Sequence, residues 1–93
     1  MLFISPQAEQ DLVDIWLYIA NDSSANADSF LDHLNEQAQR LVEFPKSGKL
    51  RPELDQSLRC FPIENYLMFY REQDVSIELV RVLHAARDLE VLF

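Results

Sequence analysis

The chain has 93 residues, nearly half of them apolar, with one Gly, one Cys and a formal net charge of −8. That composition describes one ordered domain, 1–93, with a single modest core, and excludes a disordered tail. The lone Cys60 cannot close an internal disulfide, no apolar run approaches the roughly 18 residues that cross a bilayer, and the net charge opposes nucleic acid, so a cytoplasmic protein with no membrane partner and no sequence-specific nucleic-acid binding is expected.

Leu2-Phe3-Ile4 reads as a short first strand. Its flanks carry no basic segment, and Pro6 and Glu9 follow at once, which is not the pattern of a signal peptide. Ser5-Pro6 is a helix start: serine caps free N–H groups, and proline at the first helical position loses no hydrogen bond. Ala8, Leu12, Ile15 and Ile19 then fall on one helical face, widened by Trp16, until the turn-forming Asn21-Asp22-Ser23-Ser24. Ala27, Leu31, Leu34, Ala38 and Leu41 repeat the spacing, flanked by Phe30 and Val42, and Pro45 ends this second helix by pushing Phe44 towards an extended backbone. Two striped helices joined by a short turn predict an antiparallel hairpin that must pack on the rest of the chain.

Residues 45–55 read as a loop, holding the only Gly and two of the prolines. Three strands are predicted next, at 58–61, 66–71 and 75–83, linked by turns short enough for hairpins. The last alternates over Val75, Ile77 and Leu79 and then turns apolar on both faces, with Val80 and Val82 on one and Leu79, Arg81 and Leu83 on the other. The apolar end Val91-Leu92-Phe93 is expected to dock on the domain or on a partner. The expected class is α+β: an N-terminal strand, an antiparallel helical hairpin and a three-stranded antiparallel sheet.

Charge is unevenly placed. Residues 1–39 contain seven acids and no Lys or Arg, whereas residues 40–93 hold eight basic residues against nine acids. Asp11 and Asp14 are neighbours on the first helix. They read as a solvated acidic face, or as partners for Arg81 or Arg87 from the sheet. One Gly can build neither a P-loop nor a dinucleotide turn, and a single thiol makes no thiolate zinc site, so no cofactor, metal or catalytic residue is assigned. Cys60 lies in an apolar strand and reads as a structural thiol, although Cys60 with His84 has the residue types of a nucleophile–base pair. His33 reads as a surface residue. The late cations with His84 have the types a metal-free ribonuclease needs, but they are interleaved with acids.

Five fragments in order carry a resemblance: Ser5-Pro6-x-Ala8 with Asp11-Leu12-x-x-Ile15-Trp16-x-Tyr18-Ile19; Phe44-Pro45-x-x-Gly48; Leu58-Arg59-x-Phe61-Pro62; Tyr66-Leu67-x-Phe69-Tyr70-Arg71; and Val80-Arg81-Val82-Leu83-His84-x-x-Arg87-Asp88. Along nearly its whole length the chain resembles the ParE branch of the ParE/RelE toxin family. The resemblance implies a non-enzymatic toxin of a type II toxin–antitoxin system that inhibits DNA gyrase and is neutralised by a ParD-like antitoxin. The RelE branch cuts mRNA on the ribosome. Here Tyr66 stands where RelE-like nucleases tend to place a catalytic arginine, Arg51 where some carry a loop carboxylate, and no terminal tyrosine follows Asp88. An mRNA endonuclease and a non-toxic binding module of the same fold are the alternatives. Exposed aromatics and arginines anchor protein interfaces, so the partner-binding candidates are Tyr66, Tyr70, Arg81, His84, Arg87, Leu92 and Phe93.

Overall fold

The computed structural model describes residues 1–88. Strand β1 (Leu2–Ile4) leads into helix α1 (Pro6–Ala20), which turns directly into helix α2 (Ser24–Glu43). Then come β2 (Lys49–Leu50), β3 (Leu58–Ile63), β4 (Tyr66–Gln73) and β5 (Ser76–His84). Both helices begin at a capping serine. The Ser5 hydroxyl accepts the Ala8 N–H at 3.0 Å, and Ser23 accepts that of Asn26 at 3.1 Å. The inward stripes of the hairpin, among them Ala8, Ile15, Leu34, Ala38 and Leu41, are buried against Met68, Ile77, Leu79 and Val82 of the sheet.

The sheet departs from the expectation. It is five-stranded and mixed, in the order β1-β5-β4-β3-β2, where three antiparallel strands were expected. The predicted strands form the antiparallel centre, but β1 lies parallel to β5, with Leu2 to Ile4 opposite Ile77 to Leu79. Part of the expected 45–55 loop pairs as β2, with Lys49 opposite Cys60. Elements of two or three residues carry too few positions for a period to show, and their pairing is fixed by the strands they complete.

The faces of β5 are also corrected. Phe69 pairs with Arg81 and Tyr70 with Leu79, so Val80 is an extra residue in a bulge. Alternation slips by one there. Ile77, Leu79 and Val82 share the helix-side cluster, while Val80 and Leu83 join Leu58, Cys60 and Phe69 in a second one, with Leu54 and Leu67 packed against it. Val75 stands outside the strand, almost fully exposed.

The exit from α2 is fastened from below. Tyr70, fully buried, donates its hydroxyl to the Pro45 carbonyl at 2.7 Å and accepts the Gly48 N–H at 2.8 Å. Arg59 donates to the Gly48 carbonyl at 2.8 Å. A Cβ on Gly48 would come within 2.5 Å of the Tyr70 hydroxyl, so only glycine lets the turn approach the ring this closely. Tyr70→Phe leaves the buried Gly48 N–H and the part-buried Pro45 carbonyl without the tyrosine hydroxyl, and should lower stability by about 1–3 kcal/mol in chemical denaturation.

Candidate functional site

Strand β1 ends at Ile4, opposite Leu79, and beyond that point α1 takes over the backbone of β5. Ser5 donates its N–H to the Leu79 carbonyl at 3.0 Å and its hydroxyl to the carbonyl of the bulged Val80 at 2.8 Å. Asp11, in the second turn of the helix, accepts the Val82 N–H at 2.9 Å. The same carboxylate takes a two-pronged bond from Arg81, Nε at 2.8 Å and Nη2 at 3.0 Å. The side chains are only 18% and 11% exposed. The Asp11 hydrogen bonds raise the Arg81 pKa above its usual value despite the opposing effect of burial. Of the two readings of the acidic helix face, the structure realises the ion pair for Asp11.

Beside this pair lies a cleft of about 380 Å³, lined by Asp11, Asp14, Tyr18, Arg81, Arg87 and Asp88 among others. Tyr18 separates it from a second hollow of about 290 Å³, floored by Phe30, Tyr66 and His84. The Arg87 guanidinium sits 4.1 Å above the Tyr18 ring and donates to the Tyr66 hydroxyl at 3.3 Å. Tyr66 in turn stacks obliquely on Phe30 and meets the His84 ring edge-on. The turn after β5 is closed on itself: Asp88 accepts the His84 N–H at 2.8 Å, and the His84 Nδ1 accepts the N–H groups of Ala86 at 3.1 Å and Arg87 at 3.0 Å. Two donors on Nδ1 assign its hydrogen to Nε2.

Four sequence candidates, Tyr66, Arg81, His84 and Arg87, therefore converge at one end of β5. Tyr70 does not join them. It is buried under the α2 exit and presents no accessible surface. Leu92 and Phe93 lie outside the described residues. Sequence reasoning passed over Tyr18 as a site residue, although it is 62% exposed and forms the ridge between the two hollows. Its spacing from Asp11 and Asp14, seven and four residues, puts it on their flank of α1 and was the available signal.

This surface is poorly suited to phosphate. Arg81 is bound to Asp11, and Arg81 and Arg87 share the cleft with three carboxylates. Nor do Cys60 and His84 make a nucleophile and base. Cys60 pairs with Phe69 and His84 with Tyr66, three rungs apart along β4. Burial pushes the Cys60 thiol above its ordinary pKa, only partly offset by Arg51.

The family model for the ParE toxin of the type II toxin–antitoxin system parDE matches residues 2–89. The chain belongs to the ParE toxin family. Among solved structures it is similar to a chromosomal ParDE toxin–antitoxin system from P. aeruginosa, with a TM-score of 0.74 and 21% identity over 89% of this chain and 92% of that one. At that identity the likeness speaks for the fold, including the hairpin laid on the sheet. No individually curated protein matches the sequence. This ParE-family chain is thus a type II toxin by family, and no helix among its described residues is long and apolar enough to cross a membrane.

Removing Asp11 strands a guanidinium and a strand N–H together. Asp11→Ala should cost about 2–3 kcal/mol in urea denaturation. A double-mutant cycle with Arg81→Met should return a coupling above about 1 kcal/mol, the mark of a pair rather than two separate losses. Cys60 should react with iodoacetamide at pH 8 more than about tenfold slower in the native protein than in denaturant, as followed by mass spectrometry.

Proposed function

We propose that this ParE-family toxin inhibits DNA gyrase by binding it, without chemistry of its own, and that a cognate ParD-like antitoxin neutralises it by covering part of the same surface. The observation that carries the reading is the state of the charged groups around β5. The guanidinium of Arg81 is committed to Asp11, the imidazole of His84 accepts from its own turn, and three carboxylates share the cleft with the two arginines. A ribonuclease needs cations around the scissile phosphate, whereas here Arg81 is tied to Asp11 and three carboxylates offset the cleft, a balance that favours a protein partner over phosphate. It does offer what protein interfaces use: an exposed Tyr18 under the Arg87 guanidinium, beside hollows walled by Phe30 and Tyr66. The net charge of −8 repels ribosomal RNA but is no obstacle to a protein target.

Purified protein added to a gyrase supercoiling assay should inhibit it and trap cleaved DNA. Codon-linked cuts in translated mRNA, abolished by His84→Ala or Arg81→Ala while supercoiling proceeds, would transfer the chain to the ribonuclease branch. Unimpeded growth on overexpression in a host without antitoxin would mark a non-toxic binding module.

A further inference from the structure

The hollow of about 290 Å³ beyond Tyr18 has an aromatic wall. The rings of Phe30 and Tyr66 lie 5.3 Å apart, inclined at 43° to one another. Its rim carries one carboxylate, Glu64, from the turn between β3 and β4. Glu64 and Phe30 also line an adjoining depression of about 380 Å³ that reaches His33. Glu64 has a φ of 51°, and no other non-glycine residue among those described has a positive one. Glycine or asparagine would hold that backbone with less strain, whereas the glutamate keeps a negative charge at the mouth of the hollow.

No Lys or Arg of this chain answers that charge. None lines either hollow, and residues 89–93 contain neither type. The ionic contact of Glu64 is with His33 Nδ1, at 3.6 Å, and it is an ion pair only when the imidazole is protonated. The neighbouring surface shows what such a wall takes. Arg87 lays its guanidinium 4.1 Å above the Tyr18 ring and donates to the Tyr66 hydroxyl at 3.3 Å, so that one planar cation stacks on a ring and bonds to an oxygen at once. Arg87 lines the cleft and not the hollow. The hollow offers the same combination of rings and oxygen, without the cation.

We propose that the hollow walled by Phe30 and Tyr66 receives an arginine side chain of a partner protein, its guanidinium against the rings and its N–H groups donated to the Glu64 carboxylate. Charge selects the occupant: an anionic group would meet Glu64 and a chain of net charge −8. The flat guanidinium matches a ring face and a carboxylate together, which a lysine ammonium does not. The inference rests on the reading that this toxin works by docking, and names the chemistry of one anchor. It is independent of which enzyme is the target.

The full chain, with its aromatic rings isotopically labelled, is titrated by NMR with a capped peptide of one arginine flanked by glycines. The control peptide carries citrulline, which keeps the shape and most of the N–H groups of arginine but not its charge. The arginine peptide should shift the ring signals of Phe30 and Tyr66 and bind in the millimolar range, about fivefold or more tighter than the citrulline peptide. Glu64→Gln should bring arginine down to the citrulline level. Glu36→Gln removes the same charge from an exposed position of α2 outside the hollow and should leave binding unchanged. Glu64 is exposed and touches only His33 by charge, so its glutamine variant should keep the fold, which the amide spectrum checks. Equal binding of the two peptides, equal losses from the two variants, or shifts that miss Phe30 and Tyr66 overturn the inference. Gyrase inhibition is read in parallel: inhibition without arginine binding removes this inference alone, and arginine binding without inhibition removes only the choice of target.

Discussion

Beyond the end of β1, the edge of β5 from Val80 to Val82 has no strand beside it, and the fold depends on how that gap is filled. Residues Ser5 and Asp11, one turn and a half apart along the start of α1, supply the missing acceptors and donors. The Val80 bulge is tolerated because the Ser5 hydroxyl donates to its carbonyl, and the arginine that follows is tolerated because Asp11 accepts two of its guanidinium N–H groups and the N–H of Val82. A buried N–H, carbonyl or guanidinium without a partner is costly, so these few bonds fix where α1 sits and how it is rotated. The hairpin's apolar stripe then falls on the sheet as a consequence.

That rotation sorts the rest of α1. With Ala8 and Ile15 inward, Asp14 and Tyr18 fall beside β5, and Val13 and Leu17 face outward with Trp16 reaching α2. One helix thereby serves three surfaces: a core, a charged cleft and an exposed apolar flank. Among the described residues Asp11 is the early acid that forms an ion pair. Because Asp11 cancels Arg81, the cleft is left without the excess positive charge a phosphate would need, and the aromatic ridge of Tyr18, Tyr66 and Phe30 dominates what a partner meets. A protein-binding role for a ParE-family chain is in keeping with that balance.

Much of this was legible beforehand. Ser5-Pro6 announces the start of α1 through capping chemistry that acts over three residues, and the helix begins there, while the Asn21–Ser24 cluster marks the turn between the helices. Pro45 and the Gly48 turn mark the exit of α2. The cluster at the end of β5 was partly visible, since Arg81, His84 and Arg87 lie close together in sequence. Tyr70 was misread because an aromatic on a strand looks the same whether its hydroxyl meets a partner protein or, as here, the carbonyl of Pro45. The face assignment of β5 failed at Val80, since one inserted residue inverts everything after it and leaves no mark on an apolar run.

The sequence by itself determined the helical hairpin, the antiparallel centre of the sheet and the concentration of acid in the first two helices. These follow from periodicity, capping and composition, which act over one or two turns. Only the tertiary structure decided that β1 runs parallel to β5, that Lys49–Leu50 closes the other edge, and that Asp11 rather than Asp14 holds Arg81. Each of those joins residues tens of positions apart, where the choice among partners rests on which geometry leaves no buried polar group unpaired, and no local pattern encodes it.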